Sequence, residues 1–247
     1  LTTGDNNVAI GYAALDLEDT GTDSVAVGYN ALTAQNNEAA NYNVAVGSSA
    51  GAAVTSGIQN TLIGGLAGDA LTDADINVAV GYAALSSDTM GSKSVAVGKN
   101  ALFSQNFTTA TDSLNTGVGH NAGAQITTGV KNTFVGALAG DAYNTSNNNV
   151  AVGYAALSSD TKGTKNVAVG FEALLDQNQT TNTDVYNVAV GYHAGTNVTT
   201  GTFNVLLGGT SGDALTDADF NVAVGYSALG TDTLGSRSVA VGHSALN

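Results

Sequence analysis

The sequence predicts an all-β fold, a parallel β-solenoid of about fourteen coils, on three observations. The phrase Asn-Val-Ala-Val-Gly or a near variant recurs fourteen times, it alternates with period two, and small residues dominate. The phrase ends on Gly11, Gly28, Gly47, Gly64, Gly81, Gly98, Gly119, Gly136, Gly153, Gly170, Gly191, Gly208, Gly225 and Gly242. Seventeen positions separate successive glycines, except for one longer step from Gly28 to Gly47 and two, longer still, after Gly98 and Gly170. A near-constant period of this size marks units that bury their apolar faces only against their neighbours.

A second period lies above the first. From Gly47 to Gly119 to Gly191 the same step of seventy-two positions is taken twice, so the array repeats in blocks of four coils. Residues 77–85, 149–157 and 221–229 are near-copies of one another. Residues 1–247 thus read as a single array. It opens and closes within the pattern, which is the expectation for a piece of a longer fibre.

Each phrase reads as a short strand because its apolar residues alternate. Val8 and Ile10 share one face, and Ala9 and Gly11 share the other. Strands apolar on both faces belong to covered parallel sheets. The branched face is expected inside the coil. The Ala/Gly face is then expected to meet a second chain, since small residues let backbones approach closely.

The residue that opens each strand is Asn in eleven coils, namely Asn7, Asn43, Asn60, Asn77, Asn115, Asn132, Asn149, Asn166, Asn187, Asn204 and Asn221. Ser24, Ser94 and Ser238 stand in the other three. Stacked amides predict a hydrogen-bonded ladder along the array. The third residue after the key Gly is Ala, with Ser211 the one substitute. The fourth alternates as two Leu then two Gly: Leu15, Leu32, Gly51, Gly68, Leu85, Leu102, Gly123, Gly140 and onward. Leu is expected to fill a coil corner, and Gly to permit a positive-φ turn. Polar stretches such as 86–92 and 127–129 supply the connecting turns. Fourteen strands spaced ~4.8 Å would stack to roughly 65–70 Å, with unpaired edges at the two ends.

Composition bounds the function. The 247 residues hold 32 Gly, no Pro, Cys or Trp, and carry a net charge of −14. With 43% apolar residues and 11% charged ones the chain is too hydrophobic for disorder. Six Lys and Arg against 20 Asp and Glu argue against nucleic-acid binding. The absence of Cys rules out disulfides and thiolate metal sites, and no uninterrupted apolar run is long enough to predict a membrane helix.

The phrase Asn/Ser-Val-Ala-Val-Gly-x-x-Ala, for example residues 94–98 and 166–170, resembles the YadA-like head repeat of trimeric autotransporter adhesins. Related phrases occur in phage fibres and bacterial surface fibres. The resemblance covers the whole chain. It implies a left-handed β-roll, a homotrimer as partner state, an extracellular location on a cell or virion, and an adhesive or spacer role. A phage tail fibre segment that recognises a host receptor is the alternative. The coils here are longer than those of the bacterial heads, so no binding residue carries over from the family.

Candidate chemistry is sparse. Asp69, Asp73 and Asp75, repeated as Asp213, Asp217 and Asp219, are candidate Ca²⁺ ligands, because Ca²⁺ takes several carboxylates on a flexible loop. The middle block has Thr145 and Asn147 at two of these places, and strand-capping turn residues are the plainer reading. His120, His193 and His243 follow key glycines and are expected to face outward. Tyr12, Tyr29, Tyr82, Tyr154, Phe171, Tyr192 and Tyr226 directly follow key glycines, either as sugar platforms or as staples between coils. Phe103, Phe107, Tyr143 and Tyr186 lie in loops and are candidate contacts for a host-surface glycan or protein. No nucleophile elbow, phosphate loop or recurring carboxylate pair is present, so the sequence predicts no enzyme and no cofactor. An ice-binding solenoid is a further alternative, although Thr gathers in turns rather than strands.

Overall fold

The computed structural model describes residues 3–247 and contains only strands and turns among them. The chain divides into two compact units, Leu1–Thr128 and Gly129–Asn247, each holding seven coils. In the first unit the coil strands are Val8–Ile10, Val25–Val27, Val44–Val46, Thr61–Ile63, Val78–Val80, Val95–Val97 and Thr116–Val118. In the second they are Thr133–Val135, Val150–Val152, Val167–Val169, Val188–Val190, Val205–Leu207, Val222–Val224 and Val239–Val241. Within each unit neighbouring strands pair in parallel with like positions opposed, as in Val78 on Val95 and Val150 on Val167. The two longest coils add a second, shorter pairing on the side of the stack. Gly91–Ser92 pairs with Thr111–Asp112, and Gly163–Thr164 with Thr183–Asp184.

The alternation holds, but the two faces are the reverse of the expectation. The strand-centre residues Ala26, Ala45, Ala79, Ala151, Ala168 and Ala223 are fully buried inside the coil. The Val and Ile residues on either side of them point outward and stay partly exposed. The reason is the narrow lumen. Leu32, Leu85, Leu102, Leu157 and Leu174 enter it from the corner and are fully buried, which leaves room at the strand centre for little more than a methyl group.

Where the corner carries Gly instead of Leu, the volume is exchanged. Leu62 then occupies the strand centre, and a Cβ on Gly51 or Gly68 would lie 2.7 or 2.8 Å from its methyl carbons. Phe134 does the same beside Gly140, and Leu206 beside Gly195 and Gly212. The corner Leu residues themselves adopt left-handed backbone, for example Leu32 at φ 48° and Leu157 at φ 53°. Gly is therefore needed at this corner for space rather than for its backbone freedom.

The key glycines are needed for both reasons. Their φ runs from 128° to 148°, and a Cβ on Gly28 would lie 2.3 Å from the carbonyl oxygen of Gly47 in the next coil. The Asn column also differs in detail from an amide ladder. Its Oδ1 atoms accept the backbone N–H of the next coil's Asn or Ser, as from Asn60 to Asn43 at 2.9 Å and Asn204 to Asn187 at 2.8 Å. Its Nδ2 atoms donate within their own coil to a turn carbonyl, as from Asn60 to Ala74 and Asn204 to Ala218, both at 2.8 Å. One buried side chain thus closes its coil and binds it to its neighbour. Side-chain amides touch directly at Asn60–Asn43 and Asn149–Asn132, both at 3.3 Å.

Candidate interaction surface

The seventh residue after each key Gly projects into the lumen, and its chemistry follows the four-coil block. The order is carboxylate, Gln, apolar, apolar: Asp88, Gln105, Ile126 and Tyr143, then Asp160, Gln177, Val198 and Leu215. All are fully buried. Asp160 Oδ1 accepts the N–H groups of Gly163, Lys162 and Gln179 at 2.9, 3.1 and 3.2 Å. Its Oδ2 accepts Gln177 Nε2 at 2.6 Å and the Tyr143 hydroxyl at 3.0 Å. Gln177 Oε1 in turn accepts Asn187 Nδ2 at 2.9 Å. Glu18 with Gln35 and Asp88 with Gln105 repeat the arrangement. These carboxylates are internal turn locks satisfied by N–H donors, and among the described residues no cation pairs with them. The seventh-residue series was visible in the sequence once aligned on the glycines.

This placement corrects two candidate contacts. Tyr143 is fully buried, stacked on Phe134 with ring centroids 5.6 Å apart, and cannot touch a partner. Burial pushes its phenol well above the usual range, and the Asp160 carboxylate adds to the shift. Phe107 is also buried, because its backbone N–H is held by Asp88 at 3.0 Å and its ring packs on Gly91. Phe103 and Tyr186 remain on the surface at 39% and 43% exposure.

The six aspartates do not converge. Asp69 accepts Ser86 Oγ at 2.7 Å, Asp73 accepts Ser56 Oγ at 2.5 Å, and Asp75 accepts the Ile58 N–H at 2.8 Å. Asp219 accepts the Thr202 N–H at 2.7 Å, Asp217 sits beside Thr216, and burial raises the Asp213 carboxyl. Among the described residues no three His, Cys, Asp or Glu come together as a metal site. The turn threonines direct their hydroxyls along the stack: Thr72 Oγ1 donates to Thr89 O and Thr216 Oγ1 to Thr233 O, both at 3.0 Å.

Asp141, the middle-block counterpart of Asp69, gives a test of these turn carboxylates. Partial burial raises its carboxyl above the usual range, against the hydrogen bond from Ser158 Oγ at 2.7 Å. A raised acid contributes stability below its unfolded pKa of about 4 and loses it as pH rises through the folded value. Asp141→Asn keeps an acceptor for Ser158 and removes the ionisation. We expect its melting temperature to exceed the parent's at pH 7 but not at pH 3. The gain is under about 1 kcal/mol, because a half-buried site is screened.

The surface that stands out is the outward sheet face with the columns at its two edges. One edge column directly follows the key glycines. Tyr12 stacks on Tyr29 at 5.4 Å, Tyr154 on Phe171 at 5.3 Å, and Phe171 on Tyr192 at 5.4 Å. The other precedes the Asn column. There Tyr186 stacks on Phe203 at 5.3 Å and Phe203 on Phe220 at 4.9 Å. These centroid distances follow the strand spacing. Where rings stack on both sides, as Phe171 and Phe203 do, their faces are covered and their edges left to solvent, which makes these stretches ridges between coils rather than sugar platforms.

Cations border the second column. Lys165 Nζ lies 4.9 Å from the Tyr186 centroid and donates to its hydroxyl at 2.8 Å, and Arg237 Cζ lies 5.4 Å from the Phe220 centroid. Lys165 also pairs with Asp184 at 2.6 Å; the hydrogen bond raises the lysine and lowers the carboxyl. His193 stacks on Tyr192 at 4.1 Å, and its Nε2 lies 3.1 Å from Glu172 Oε2. His243 stacks on Tyr226 at 5.3 Å.

The column before Asn is left-handed throughout, from Asn6 at φ 61° to Arg237 at φ 62°. Among residues with a Cβ, Asn, as at Asn148, takes this conformation most readily, whereas a bulky residue pays about 1–2 kcal/mol. Tyr186, Phe203 and Phe220 occupy it at φ 55°, 58° and 60°. Sequence reading picks out Tyr186 alone, because backbone handedness is not written in the residue names.

Comparison with known proteins found no matching family model, no similar curated protein and no similar solved structure. No helix among the described residues is long and apolar enough to cross a membrane. Fold and surface together define a parallel β-solenoid repeat protein. Each of its units presents an outward sheet face of branched apolar residues edged by aromatic residues.

Proposed function

We propose that the chain is a structural and adhesive segment of an extracellular homotrimeric fibre, a β-roll shaft or head that attaches to a surface or host. The observation that carries this reading is the outward valine face. Branched residues on a solvated sheet face, repeated coil after coil, are the mark of a surface that another chain covers. The likeness of the strand phrase to the YadA-like head repeat supports three copies and an adhesive role. The role is mechanical, with a repeating side surface whose turns vary and no catalytic step.

The correction to the strand faces moves the expected contact between copies. It now lies on the Val columns rather than on the buried Ala positions. Sedimentation equilibrium tests the reading. The expected mass is three times 24.4 kDa, and a well-folded chain that stays at 24.4 kDa at high concentration would overturn it.

A further inference from the structure

We infer that the ring column Tyr186, Phe203 and Phe220 is the anchor by which one copy of this chain grips another. The inference rests on the self-associating fibre proposed above and says which residues hold it together.

The first argument is the cost of the column to the chain that carries it. Three large aromatic side chains sit on left-handed backbone in a column that polar residues, Lys131, Asn148, Lys165 and Arg237, fill in the rest of this unit. They are 43%, 44% and 47% exposed, so the chain's own core gains little from them. Strain kept at an exposed position points to a function that repays it.

The second argument is the kind of partner the surface fits. Stacking and the bordering cations occupy the ring faces, so no sugar can lie flat on them. What remains is ring edges beside valine columns, which suits close protein packing. Residues 129–247 contain nine Asp and Glu, yet neither edge column of this unit holds one. Lys131, Lys165 and Arg237 lie in the ring column instead. No acid stands in either column, and the exposed carboxylate beside Tyr186, Asp184, is paired with Lys165 at 2.6 Å, which lowers the repulsion a second copy meets there. Seven partly exposed rings of about 100 Å² each reach the roughly 800 Å² per partner of a standard interface once the valine columns are added.

Phe203→Asn is the test, read by sedimentation velocity over a dilution series with thermal unfolding of the dissociated chain alongside. The substitution puts the residue the column already uses at Asn148 in place of the ring. Association is expected to weaken by at least about tenfold, while the melting temperature of the dissociated chain stays level or rises. A melting temperature that falls would make the ring a structural staple and overturn the inference. Association unchanged from the parent would overturn it while leaving the fibre reading intact. A parent chain that never associates defeats the fibre reading itself. If that monomer bound anionic lipid vesicles and Phe203→Asn abolished the binding, a membrane would replace the second copy as the occupant.

Discussion

Gly153→Ala is expected to destroy the cooperative unfolding of its unit, a loss of more than about 4 kcal/mol. Gly153 has φ 133°, where L side chains are rarely found, and a Cβ there would lie 2.2 Å from the Gly170 carbonyl oxygen and 2.6 Å from its carbon. Both atoms are backbone, so relief requires two coils to part along the stack. Parting them breaks the bond from the Gly170 N–H to Val152 O at 2.8 Å and loosens the Asn166–Asn149 link at 2.9 Å. In a repeat stack stability resides in such nearest-neighbour interfaces, and one forced gap removes a whole interface. Gly209→Ala is the control. The nearest atom to a Cβ there is Tyr226 Cδ2 at 3.4 Å, and Ala137 already occupies the same column. Circular dichroism melts should show Gly209→Ala near the parent and Gly153→Ala broad and shifted far down. A sharp, parent-like melt for Gly153→Ala would show that the glycine column is not close-packed.

Asp160→Ala is expected to cost about 3–5 kcal/mol, because a buried donor left without its acceptor costs about 1–3 kcal/mol and only some of those involved can find another partner. Five donors lose their acceptor at once: three backbone N–H groups, Gln177 Nε2 and the Tyr143 hydroxyl. The two side-chain donors cannot turn to water, since Gln177 and Tyr143 are fully buried. Exchange of roles offers a sharper test than deletion. Asp160→Asn combined with Gln177→Glu keeps an acceptor for the turn N–H groups and lets the new amide donate to the new carboxylate. The double variant should recover part of the loss suffered by Asp160→Asn alone. Equal instability of the two would mean that turn capping, not the carboxylate–amide contact, carries the energy.

The coils, their strand positions and the glycine column were legible because each depends on a local pattern repeated many times. The sidedness of the strand was not. Period two separates Val from Ala, but which one faces the lumen depends on Leu side chains arriving from a corner beyond the glycine, a matter of volume rather than alternation. The loop assignment of Phe107 and Tyr143 failed for a related reason: polar neighbours mark a turn, while the lumen-facing register decides burial. The edge column that includes Phe203 stayed hidden because its occupants differ from coil to coil and share only a backbone conformation.

The exchange of volume between strand centre and corner has an evolutionary consequence. Leu62 fills the hollow left by two glycines, Gly51 and Gly68, and so serves two coils. Gln105 likewise joins a carboxylate in the coil before it, Asp88, to an amide in the coil after it, Asn115. A coil is therefore not an interchangeable part. Excising a single coil would leave a hole, a collision or an orphaned carboxylate at the splice. Excising or inserting one whole block would restore every neighbour. Length in such an array is free to change only in steps of four coils.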